Sequence, residues 1–171
     1  MRMLRMLVVS LALAACASGG QEATSTAPAS SAAAGTQKSD IVAQVRSLES
    51  DPLQAGAAQL RQRLFRYFEA APDVTITVCS GVLDPLMEER RNYTTEIWAQ
   101  QVFSSGAFII ENPGMARDLA AVHAAGVAGA LRTYESILRT HPDARLPLLD
   151  ELVQLRERGE LVAHVRSRMG C

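Results

Sequence analysis

From residue 41 onward, apolar residues recur mostly at intervals of three and four, and that spacing predicts helices. The clearest run has Leu53, Ala57, Leu60, Leu64, Phe68 and Ala71 on one face, with Arg61, Arg63, Arg66 and Glu69 largely off it. Asp51-Pro52-Leu53-Gln54 ahead of it carries a capping Asp, a first-turn Pro and a Gln placed to complete a capping box; Pro72 ends the run. A short helix over 41–48 precedes it. Besides a long central one, four more follow: 84–91, started by Asp84-Pro85; one capped by Thr94 or Thr95 with Ile97, Trp98, Val102, Phe103, Phe108 and Ile109 as its apolar set; 147–158, stopped by Gly159; and 160–168. Between the helix-ending turns at Glu111-Asn112-Pro113-Gly114 and His141-Pro142-Asp143, residues 115–140 form the longest expected helix. Ala120, Ala121, Ala124, Ala125, Gly126, Ala128, Gly129 and Ala130 crowd its first half. A glycine inside a helix costs about 1 kcal/mol relative to alanine. Two of them here imply a neighbouring backbone that approaches closely, and make this the central helix. Only 74–79 departs from helical spacing. Val74-Thr75-Ile76-Thr77-Val78-Cys79 alternates with period two, but nothing else in the domain offers a pairing strand, so the expectation is an extended crossing between helices. The fold class is all-α: a bundle of about five to seven helices with one extended segment near 74–79.

The stretch 130–142, Ala130-Leu131-Arg132-Thr133-Tyr134-Glu135-Ser136-Ile137-Leu138 followed by His141-Pro142, resembles the second helix of a tetratricopeptide repeat. Arrays of that family repeat near 34 residues, whereas the helix-ending prolines here fall at 72, 113 and 142. The uneven gaps favour a plain helical bundle over a repeat stack.

The first forty residues follow another rule. Arg2 and Arg5 precede an apolar run from Met6 to Leu13, too short for a bilayer-spanning helix of about 20 residues. Residues 17–40 lack Leu, Ile, Val, Met and aromatics and consist mostly of Ala, Ser, Thr and Gly, a composition that reads as a flexible tether. At the junction stands Leu13-Ala14-Ala15-Cys16, which resembles the lipobox of bacterial lipoproteins at all four positions. That resemblance implies cleavage before Cys16, diacylation of its thiol and acylation of the new amino terminus. Several acyl chains on one residue give stable membrane attachment where one chain would be marginal. Ala17, rather than Asp, after the lipid cysteine implies by the same resemblance the outer membrane, facing the periplasm. The expected organisation is 1–15 signal peptide, 16–40 lipidated cysteine and linker, and 41–171 helical domain.

Charge excludes one class of partner. Of the chain's 17 Lys plus Arg and 18 Asp plus Glu, residues 41–171 hold 14 Arg, no Lys and 16 acidic residues, so the domain carries 14 − 16 = −2. Nothing in that balance provides the basic face that nucleic acid requires.

Candidate chemistry is sparse. With Cys16 assigned to lipid, Cys79 and Cys171 remain as an even pair in an oxidising compartment. Either they bridge, or Cys79 is a buried apolar thiol and Cys171 a frayed terminal one; both readings stay open. A catalytic Cys79 would need a base within reach, and His123, His141 and His164 are each isolated in sequence. His123, on the small-residue helix, could face inward. No histidine pair has metal-ligand spacing and no Cys-x-x-Cys occurs, so neither metal nor cofactor is expected. Glu88-Glu89-Arg90-Arg91 reads as a solvated helix face. Asn92-Tyr93-Thr94 fits a glycosylation sequon that a bacterial source would not use. Trp98, Phe103 and Phe108 read as core. The expectation is a membrane-anchored, non-catalytic envelope lipoprotein whose helical domain binds another envelope protein. The alternatives are a module for a small apolar ligand or a peptide, and a cysteine-dependent enzyme using Cys79.

Overall fold

A computed structural model describes residues 28–171, with side chains from residue 35 onward. The signal peptide, Cys16 and the first part of the expected linker lie outside the described residues. Seven α-helices follow in order: α1 (Pro28–Ser50), α2 (Ala57–Ala70), α3 (Pro85–Glu89), α4 (Thr94–Glu111), α5 (Leu119–Thr140), α6 (Pro147–Glu157) and α7 (Leu161–Arg168), with one 3-10 turn at Pro113–Met115 between α4 and α5. The architecture is all-α, and among the described residues no strand forms. Among the same residues, no helix is long and apolar enough to cross a membrane.

The α4–α5 pair forms the centre. Seven residues connect them, spanning about 25 Å at most, while an 18-residue helix is about 27 Å long. Since the two helices pack along their length, they must run antiparallel. The small residues of α5 have the close neighbour their composition implies. A Cβ on Gly126 would lie 2.7 Å from the Gln101 carbonyl oxygen, and one on Gly129 would lie 2.8 Å from a Glu49 carboxylate oxygen. Asp118 starts α5 by accepting the Ala121 amide at 3.1 Å.

Around this hairpin the core divides. One cluster, with Ile97, Leu131, Tyr134, Leu149, Leu152 and Leu161, joins α4 and α5 to α6 and α7. Another, with Val45, Leu48, Leu64 and Phe103, seats α1 and α2 on α4. Val74, Ile109 and Val122 form a smaller group beneath the crossing segment. Tyr134, only 1% exposed, donates from its hydroxyl to Asp150 at 2.8 Å and accepts the Leu146 amide at 3.1 Å, pinning α6 to α5.

Three expectations need correction. The helix foreseen from Pro52 begins at Ala57, because the Gln54 amide donates to Ser47 and to the Asp51 carbonyl instead of closing a capping box, and Gly56 then turns left-handed at φ 79°. Neither Thr94 nor Thr95 caps α4. The cap position is Tyr93 at φ 64°, after left-handed Arg90 and Asn92, and the Thr94 hydroxyl is buried without a partner. Finally, α1 starts at Pro28 rather than at residue 41, so residues 28–40 of the expected linker are helical. Composition argues only that such a stretch buries little; its alanines still favour a helix backbone.

The extended segment matches expectation. Residues 74–79 cross the bundle without regular structure. They end where Ser80 meets Gly170: the Gly170 amide donates to the Ser80 carbonyl at 3.0 Å, and the Ser80 hydroxyl donates to the Gly170 carbonyl at 3.2 Å.

Candidate functional site

Crossing and chain end meet at a disulfide. Cys79 is bonded to Cys171 with their Cα atoms 5.1 Å apart, which closes the choice left open by the sequence. The sequence separation of 92 makes this a long loop. Cys79 is buried, at 8% exposure, while Cys171 is exposed.

His123, 5% exposed, comes off the second turn of α5 beside this bond. One of its ring nitrogens and both sulfurs lie within 4.8 Å of one another. Its Nε2 is 2.9 Å from the Thr77 carbonyl oxygen. A carbonyl can only accept, so Nε2 carries a proton, and in the neutral ring the lone pair is on Nδ1. Cys79, His123, Thr77 and Gln101 line a partly closed cavity of about 110 Å³, together with Trp98 and Asp84. The Gln101 Oε1 is buried with no hydrogen-bond partner, and buried acceptors are rarely left unpaired.

The other sequence candidates disperse. His141 stacks edge-on against Tyr93 with ring centroids 5.1 Å apart, and its Nδ1 lies 2.9 Å from the Thr140 hydroxyl. His164 is half-buried on α7, beside Val82 and Leu148, and is not among the groups gathered at the two cysteines. Glu88 and Arg90 are exposed, and Glu89 pairs with Arg91 at 3.1 Å in solvent. Phe103 is fully buried, as read; Trp98 and Phe108 instead each line a cavity.

Two further features emerge only in three dimensions. The first is a polar hub. The Glu49 carboxylate, 5% exposed, accepts two hydrogen bonds from Arg132 at 2.8 and 2.9 Å, one from Arg46 at 2.6 Å and one from Ser104 at 2.7 Å. Burial alone would raise its pKa, but the Arg132 and Ser104 hydrogen bonds and the charges of Arg132 and Arg46 outweigh it and hold the group below the usual glutamate range. Ser136 and Gln100 extend the hub, donating to the Glu49 and Val45 carbonyls at 2.9 and 3.2 Å. The hub ties α1 to α4 and α5. Its charges satisfy one another, so the small cleft above it, of about 270 Å³, reads as structure.

The second feature is an apolar groove of about 530 Å³ between α5 and α7. Phe108, Met115, Ala121, Ala125, Leu161 and Val162 line it, and Met115 and Val162 remain 43% and 48% exposed. At its edge, Arg156 is held by Glu135 through two hydrogen bonds of 2.6 and 2.9 Å. Arg166, also on the edge, makes no ion pair or hydrogen bond among the described residues. Gly126 and Gly129 let α5 pack against α4, while Ala121, Ala124, Ala125 and Ala128 leave this other face shallow.

No family model, no curated protein and no solved structure matches the chain.

Proposed function

We propose that this chain is a lipid-anchored bacterial envelope protein, carried on acylated Cys16 at the outer membrane, whose helical domain docks another envelope protein through the α5–α7 groove. The groove is the observation that supports this reading. It exposes large apolar side chains in one concave patch, and it carries a free guanidinium at the rim. Such a surface suits an apolar peptide segment with an acidic group placed to meet Arg166. The lipobox supports the anchoring, and a bridged cysteine pair suits an oxidising compartment.

A photo-crosslinking side chain at Val162 in the membrane-bound protein tests the reading. The expected result is one discrete protein adduct, lost when Met115→Asp is added, with the helical circular dichroism unchanged. Absence of an adduct above the level of a control site on the exposed face of α2 contradicts it. The alternative, a carrier for a small apolar ligand, uses the same groove and expects a copurifying lipid-like molecule released by Met115→Asp. As an enzyme using Cys79 the protein has little support, since in the bonded state Cys79 offers no thiolate.

A further inference from the structure

The cystine, His123 and the cavity behind them contain more than a crosslink requires. We propose that Cys79, Cys171 and His123 form a thiol-gated site for a thiophilic divalent cation of the zinc type, closed while the two sulfurs are bonded to each other and opened when a dithiol reductant cleaves that bond. In the opening step the S–S bond accepts two electrons and two protons from the dithiol, which leaves as a disulfide. The cation then displaces the two thiol protons and forms two metal–sulfur bonds and one metal–nitrogen bond.

Four observations carry this. The three ligand atoms already lie within 4.8 Å of one another. A tetrahedral zinc site with bonds of about 2.3 Å to sulfur and 2.0–2.1 Å to nitrogen sets its ligand atoms about 3.5–3.8 Å apart. Reaching it requires only that the sulfurs part and the ring close by about 1 Å, which side-chain rotation supplies.

Besides the bond itself, paired hydrogen bonds between Ser80 and Gly170 set the residues next to the two cysteines side by side. Cys79 is itself buried, and His123 is fixed on the most enclosed helix of the fold.

Donation from Nε2 to the Thr77 carbonyl fixes the tautomer of the neutral ring, as a backbone carbonyl does for many ligating histidines, and leaves the lone pair on Nδ1. The adjoining cavity, finally, is suited to a positive charge. Gln101 Oε1 is an acceptor without a donor, and the Asp84 carboxylate lies on the same wall. Three protein ligands leave the fourth position to a water or a further donor.

The test uses the full chain carrying Cys16→Ser, so that Cys79 and Cys171 are its two cysteines. Cobalt(II) serves as the spectroscopic probe and zinc competition as the affinity measurement, on oxidised protein and on protein reduced with a phosphine. The expected result is one equivalent of cobalt with intense tetrahedral visible bands in the reduced protein and none in the oxidised protein. Cys171→Ser abolishes the bands, and His123→Gln weakens zinc binding by about tenfold or more. Circular dichroism on each sample records whether the helices persist. Reduced protein that binds no stoichiometric cation, folded or unfolded, overturns the proposal. So does cation binding that His123→Gln leaves unchanged, because two thiols on a loosened chain would then account for it.

Discussion

Two regions fix the fold by opposite means. On one side, α1, α4 and α5 meet through Glu49, Ser104, Gln100 and Ser136, with Gly126 and Gly129 drawing the backbones together. On the other, residues 74–80 and the 170–171 pair are joined by one covalent bond and two hydrogen bonds over a shallow crossing. The first is stabilised by many contacts in the folded state. The second acts on the unfolded chain, by removing the freedom of a long loop. A region held by packing has little freedom to change chemically, because each group is already partnered. A region held by one reversible bond can change state while the bundle stays intact. That difference places the reactive groups at the cystine and the inert ones at the hub.

Breaking each side separately sharpens the contrast. The largest expected effect is from Cys171→Ser, about 4 kcal/mol of unfolding free energy on the chain-entropy estimate, read from urea titrations. Reduction of the wild-type disulfide should have the same effect and leave the variant unchanged. At the hub, Glu49→Ala removes the shared acceptor of Arg132, Arg46 and Ser104, at a cost of about 3 kcal/mol. Here reduction should add its own loss in full, since the two regions share no partner. Gly126→Ala forces a methyl against the Gln101 carbonyl and should cost about 2 kcal/mol, with the thermal midpoint falling accordingly. Smallest, Arg158→Ala breaks a solvent-exposed pair with Glu160 and should change stability by less than about 1 kcal/mol.

Acid offers a graded way to separate the regions. Because the native Glu49 carboxyl is held below its unfolded value, its contribution is complete above the unfolded pKa of about 4.3 and is lost as pH falls through the depressed native value. The urea midpoints of the native protein and Glu49→Gln should therefore keep a constant gap from pH 7 to about 5, and converge below about pH 4. The disulfide contributes no such dependence.

The sequence was a good guide wherever a local rule acts alone. Apolar spacing placed α2, α4, α5, α6 and α7, and the glycines of α5 announced a close neighbour that proved to be α4. It failed at the ends of elements, where a side chain had a better partner elsewhere: Gln54 turned to Ser47, and the turn through Arg90, Asn92 and Tyr93 replaced a threonine cap. The cysteines could be named as a pair, but not His123 as their neighbour. It lies 44 residues from Cys79 and 48 from Cys171, and periodicity reports only that it faces inward. The groove was hidden for a related reason. An alanine-rich face reads the same whether a helix covers it or nothing does.

The bundle should stand without its covalent bond. Hydrogen–deuterium exchange of the oxidised and reduced protein measures this directly. Protected amides throughout α4 and α5 after reduction, with loss confined to the neighbourhood of Ser80 and Gly170, is the result expected. Loss of protection across α4 and α5 on reduction would contradict it.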